Sequence, residues 1–151
     1  MAGASAEAER REGEMPVAFR PGEFANPAKP LAHYETTGPE IAGALPEGAD
    51  ALVASVGTGG TLTGAGRYLR EKNPALYIVA VEPAGSPGLS GGKPCPHAIQ
   101  GIGAGCVAEI LGTARYNEVI PVRHADACSW ACEVGRAEGP SVGFSRVAAS
   151  L

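Results

Sequence analysis

Residues 50–81 read DALVASVGTGGTLTGAGRYLREKNPALYIVAV. Asp50 to Val56 is a nearly continuous apolar run. Its length and β-branched content predict a strand buried on both faces. Gly57, Gly59 and Gly60 follow, with threonines at 58 and 61. Leu62, Ala65, Tyr68 and Leu69 then recur at helical spacing until Asn73-Pro74 stops the helix. Tyr77 to Val81 is a second apolar strand. Strand, glycine loop, helix and strand in so short a span predict a βαβ unit with parallel pairing, and hence an α/β fold.

The glycine loop suggests a ligand. Glycines after a strand let the backbone turn tightly and aim N–H groups into one concavity. The helix that follows adds unpaired N–H groups and its dipole. Thr58 and Thr61 add hydroxyl donors. An ordinary βα turn needs fewer glycines, so the loop reads as a phosphate cradle. Three patterns compete. The nucleoside-triphosphate loop needs Gly-Lys-Ser/Thr, but Ala65 follows Gly64. The dinucleotide pattern needs Gly or Ala at position 62, which is Leu62, although Glu82 stands where a ribose-binding acid would. The third is a monophosphate cup with no lysine and no metal, as pyridoxal phosphate requires.

Composition narrows the class. The chain has 151 residues, 44% of them hydrophobic and 19% charged, which suits one globular domain. The net charge is −4 and no basic run occurs, which argues against nucleic acid and an anionic membrane surface. No apolar stretch approaches a membrane span. The first sixteen residues lack the apolar core of a secretory signal and carry four glutamates, so the default compartment is the cytoplasm. An organelle is possible if a transit segment precedes Met1. Cys95, Cys106, Cys128 and Cys132 read as reduced, buried small hydrophobes, since no CxxC or other metal spacing occurs.

The remaining chain reads as follows. Residues 4–14 predict a helix, and Val17-Ala18-Phe19 a short strand. Thr37 to Glu40 predicts a helix start with Thr37 as cap, Pro39 in the first turn and Glu40 closing a capping box. Residues 82–106 form a long Gly-, Pro- and Ser-rich loop ending in the cluster Gly101, Gly103, Gly105; a loop of that length is usually functional. Glu118 to Val122 is a third strand, at an edge or strand end because of Pro121. Ala125 to Glu138 is a helix broken by Gly139-Pro140, and another begins near Ser145.

Several of these stretches resemble cysteine synthase, O-acetylserine (thiol)-lyase, a fold-type II pyridoxal-phosphate enzyme. They are FANPAKP (24–30), HYETTGPEI (33–41), VGTGGTLTGAGRYLR (56–70), VAVEP (79–83), SPGLSGG (86–92) and HAIQGIGAG (97–105). The resemblance starts near residue 15 and runs almost to the end. It implies two α/β domains around pyridoxal 5'-phosphate. Residues 1–24 would be a remnant of the smaller, mobile domain. Residues 25–151 would be the core of the larger, cofactor-binding domain, a parallel twisted sheet with flanking helices. It implies β-replacement on O-acetylserine by sulfide, giving cysteine and acetate, and a homodimer.

Residue by residue, Gly57, Thr58, Gly59, Gly60 and Thr61 match the phosphate cup. Ser145 matches a serine whose hydroxyl faces the pyridine nitrogen; Arg146 and Val147 then depart from the family's Ser-Gly. Glu23-Phe24 aligns with a Gln-Phe pair at the substrate site, so Glu23 would present a like charge to the substrate carboxylate. Gly101 and Gly103 would border the active-site entrance. Lys93 and His97 match a surface that meets serine acetyltransferase in plant enzymes. None of Lys29, Lys72 and Lys93 lies in a context matching the family's Schiff-base lysine, so no catalytic residue is assigned and the chain alone is expected to be inactive. Two other readings compete: a non-catalytic module binding serine acetyltransferase or an intact homologue, and a dinucleotide-binding domain using Gly57 to Thr61 with Glu82.

Overall fold

The computed structural model describes residues 2–112 and 116–150. Three parallel strands form one sheet in the order β1-β2-β3: β1 (Ala51–Ser55), β2 (Tyr77–Pro83) and β3 (Glu118–Val122). Leu52 pairs with Ile78 and Ala54 with Ala80, while Val79 pairs with Glu118 and Val81 with Ile120. Preceding the sheet are α1 (Ala2–Glu14), α2 (Ala28–Ala32), a π-helical segment (His33–Thr37) and α3 (Gly38–Ala44). Between and after the strands come α4 (Gly60–Lys72), α5 (His124–Glu138) and α6 (Phe144–Val147). The βαβ unit predicted for residues 50–81 is present, as β1, α4 and β2.

Each face of the sheet has its own core. Helix α4 lays Leu62 and Leu69 on Ile78 and Ala80, with Val56, Leu76 and Leu111 closing that side. On the opposite face, Val79, Val81 and Val122 meet Ile99 and Ile102 from the long loop, Ala127 of α5 and Ala148 after α6. The segment joining β2 to β3 therefore reaches both faces, and its hydrophobic anchors fix its position on the sheet.

Four expectations change. First, β1 is not buried on both faces; the strand that is so buried is β2. Val53 is 44% exposed because β1 ends the sheet and α4 covers only one side of it. Second, Val17-Ala18-Phe19 forms no strand. The segment turns, with the Ala18 N–H donating to Met15 O, and Val17 is 96% exposed. Third, Thr37 is not a cap. Its φ/ψ of −60°/−41° is helical, because the π-helical segment carries α2 directly into α3. The Gly38 N–H already donates to His33 O, so the Thr37 hydroxyl is left for the His33 ring. Pro39 does fall in the first turn of α3. Fourth, all four cysteines are free, but none is buried, since they lie on the loop and on the outer side of α5. Pro121 does sit on an edge strand, paired with Glu82 of β2.

Among the described residues no helix is long and apolar enough to cross a membrane. The helix expected near Ser145 is α6; Leu151 lies outside the described residues.

Candidate functional site

A cavity of about 800 Å³ opens where β1 gives way to α4. Its floor is Gly57, Thr58, Gly59, Gly60 and Thr61. Gly59 has φ +84°, a left-handed turn that directs the chain into α4. Leu111 packs beneath it, and a Cβ on Gly59 would stand 2.4 Å from Leu111 Cδ1. Among the described residues no acceptor takes the N–H groups of Gly57, Thr58 and Gly59. The first turn of α4 adds N–H groups that have no partner within the helix. The cup is thus a concavity of outward-facing amides at the positive end of a thirteen-residue helix.

The roof is the cluster Gly101, Gly103 and Gly105. Gly103 N–H donates to Val56 O at 3.0 Å, tying the roof to the end of β1. A Cβ on Gly57 would come within 2.5 Å of Gly101 O, so floor and roof approach as closely as glycine permits. His97 also lines this side, and its Nε2 lies 3.1 Å from Gly103 O.

The third wall comes from α2 and the π-helical segment. His33 bridges two threonines: Nδ1 is 3.0 Å from Thr37 Oγ1 and Nε2 is 3.1 Å from Thr61 Oγ1. Burial first, and then the charge of Lys29, hold the ring below the ordinary imidazole value, so it is neutral at pH 7. A neutral ring donates through one nitrogen only. When Nε2–H donates to Thr61 and Thr37 donates to Nδ1, the Thr61 hydroxyl keeps its own proton to offer into the cup. No local signal in the sequence marks His33 for the cup, because its approach to Thr61 depends on how this segment packs on α4.

At the mouth stand Glu23 and Phe24. Lys29 lies beside them, with Nζ 3.0 Å from Glu23 Oε2. Glu23 therefore presents a neutralised pair rather than the bare like charge expected. Lys29 itself lines the cavity, which sequence reading did not foresee.

Three other residues stand apart from the cup. Ser145 is half-buried in the first turn of α6 and does not line the cavity. Lys93 is exposed on the loop and also lies outside the lining. Glu82 is 2% exposed and fully engaged. Leu89 N–H and Ser90 N–H donate to its two oxygens at 2.7 and 3.1 Å, and the Ser90 hydroxyl donates at 2.5 Å. The carboxylate that a dinucleotide ribose would need is thus committed to the loop after β2. Among the described residues no three His, Cys, Asp or Glu side chains gather in a metal-binding group.

The chain matches the family described as "Pyridoxal-phosphate dependent enzyme" over residues 2–150. It belongs to that family. A cysteine synthase of Flavobacterium sp. is 44% identical over 139 residues, which are 92% of this chain and 45% of that protein. The crystal structure of O-acetylserine sulfhydrylase isoform 3 from Entamoeba histolytica superposes with a TM-score of 0.93 at 38% identity, over 99% of this chain and 44% of that one. The O-acetylserine dependent cystathionine β-synthase of Helicobacter pylori gives 0.92 at 34% identity, over 99% and 48%. The chain thus spans about 45% of the length of the curated relative. The parallel sheet with flanking helices is the fold of these pyridoxal-phosphate enzymes, as the resemblance implied.

A pyridoxal-phosphate enzyme must seat a phosphate dianion, and these residues fit one. The cup offers amides without acceptors, a helix N-terminus and two threonine hydroxyls. The Lys29 stem packs on the Gly60 side of the cup, where a Cβ on Gly60 would press on Lys29 Cγ at 3.1 Å.

Proposed function

We propose that this chain provides the cofactor-phosphate seat of a cysteine synthase-type active site. The chemistry is β-replacement on O-acetylserine by sulfide, yielding cysteine and acetate. The observation that carries the reading is the convergence of Gly57–Thr61, Gly101–Gly105 and Glu23-Phe24 on one cavity. When bound, pyridoxal phosphate supplies the electron sink for that chemistry. The chain's own residues do the rest of what is assigned here. Gly57 to Thr61 hold the phosphate through N–H and hydroxyl donors. Gly101 and Gly103 close over it and limit water. Glu23 and Phe24 line the entrance for a small amino acid. Ser145 is assigned to the pyridine-nitrogen side on resemblance alone.

The domain division proposed is 1–24 and 25–151. It is supported by the ion pairs of α1, which among the described residues stay within 1–24: Arg10 and Arg11 pair with Glu7, and Arg20 bonds Glu9 and Glu12 at 3.2 and 2.8 Å.

The chain by itself is expected to form no cysteine. The reaction needs an amine to carry the cofactor and move the α-proton. Lys29 lines the cavity and pairs with Glu23, but lies in no context matching a Schiff-base lysine, while Lys72 and Lys93 lie outside the lining. Calorimetry should show saturable binding of pyridoxal phosphate and none of NAD, and an assay with O-acetylserine and sulfide should show no turnover. Binding of NAD in preference to pyridoxal phosphate overturns the assignment of the cup. Turnover by the pure chain overturns its inactivity.

Exposed Lys93 supports a second, narrower reading, contact with serine acetyltransferase. His97 supports it less, because its ring is turned to Gly103 O. Lys93→Ala should weaken capture of the acetyltransferase by this chain. Capture that the change leaves intact removes the reading.

A further inference from the structure

The cup described so far binds an anion with neutral donors, yet a cation stands over it. Lys29 belongs to α2, which lies so close to α4 that a Cβ on Gly64 would fall 2.0 Å from Pro30 O. That seating lays the Lys29 stem across the first turn of α4. Its Cγ and Cδ are 3.1 and 3.6 Å from where a Gly60 Cβ would stand. Nζ is two bonds beyond Cδ, within reach either of the cup or of the mouth. In this structure it takes the mouth, 3.0 Å from Glu23 Oε2.

That hold is weak. The Glu23 side chain is 56% exposed and the Lys29 side chain 35%. Pairs this open to water contribute little. A phosphate dianion at a helix N-terminus offers the ammonium twice the charge in a more enclosed position, and charge-assisted bonds to phosphate are among the stronger polar contacts. The charge of Lys29 is also one of the two influences that lower His33, the ring bonded to Thr61 of the cup. The ammonium already acts on the cup from where it stands.

We infer that Lys29 is a phosphate-binding residue of this site, released by Glu23 to the ligand's phosphate when the cup fills. The inference rests on the proposed cofactor seat and adds to it a full positive charge and a competitor. Glu23 opposes binding indirectly, by occupying Lys29.

The test uses the whole chain and pyridoxine 5'-phosphate, which has an alcohol in place of the aldehyde and so binds without a covalent bond to any amine. Calorimetry compares wild type with Lys29→Gln, Glu23→Gln and the double variant; inorganic phosphate is a second probe. Lys29→Gln should bind about tenfold more weakly and Lys29→Arg should restore most of the loss. Glu23→Gln should bind about threefold more tightly, by freeing Lys29. In the Lys29→Gln background Glu23→Gln should have no effect. Thermal unfolding of each variant near the wild-type midpoint establishes that it folds.

Equal affinity of Lys29→Gln and wild type overturns the inference and leaves the cofactor seat standing. Tightening by Glu23→Gln even without Lys29 also overturns it, since Glu23 would then repel the ligand directly. Failure of wild type to bind either probe overturns both the inference and the seat.

Discussion

Gly64→Ala is expected to destabilise the protein by about 3 kcal/mol or more. In an exposed helix interior the same change would gain up to about 1 kcal/mol, since alanine is the better helix former. Here the sign reverses for a geometric reason. The new Cβ would stand 2.0 Å from Pro30 O and 2.8 Å from His33 Cβ. Pro30 O is backbone, so no side-chain rotation relieves the overlap; α2 must lift from α4. That movement carries Lys29 and His33 away from Gly60 and Thr61, so phosphate affinity should fall together with stability. Gly43→Ala in α3 is the matched control, because nothing lies within 4 Å of its Cβ and its φ is not positive. Urea unfolding should show Gly43→Ala neutral or stabilising, and Gly64→Ala strongly destabilising. Equal effects of the two would contradict the close seating of α2 on α4.

Glu82→Ala is the second large effect expected, a loss of about 2–4 kcal/mol. The carboxylate is buried and accepts from Leu89 N–H, Ser90 N–H and the Ser90 hydroxyl. Removing it strands those donors away from water. For a chain of 151 residues the midpoint of thermal unfolding should drop by roughly 4–16 °C. Glu82→Gln should fall between, because its amide keeps one acceptor oxygen and turns an NH₂ group toward donors. The loop held by Glu82 leads on to the Gly101–Gly105 roof, so the affinity for pyridoxal phosphate should weaken too. A loss below about 1 kcal/mol for Glu82→Ala would mean that water replaces the carboxylate.

The central βαβ unit was legible because each of its signals is local. Two apolar runs, a glycine loop and a helical spacing stopped by Asn73-Pro74 sit in consecutive residues, and β3 matched its predicted bounds. What depended on neighbours was less legible. The apolar content of β1 says that it can be buried, not that a second layer covers Val53. The Thr37-Gly38-Pro39-Glu40 pattern is a good local cap signal, but packing of α2 and α3 against α4 lets one helical path run through it. Glu82 stands at the strand end as expected, but its role was not legible, since only the fold shows Leu89 and Ser90 folding back onto it. At the site, the concavity at Gly57 to Thr61 could be read from its glycines. Lys29 and His33 could not, because they come from about thirty residues upstream and meet the cup only through the helix crossing at Gly64.

Backbone amide NMR of the whole chain, titrated with pyridoxine 5'-phosphate, tests the proposed seating of the cofactor phosphate on Gly57 to Thr61. The largest amide shifts should fall on Gly57, Thr58, Gly59, Gly60 and Thr61, and inorganic phosphate should move the same amides. Saturable binding that shifts amides elsewhere and leaves those five unmoved would contradict it.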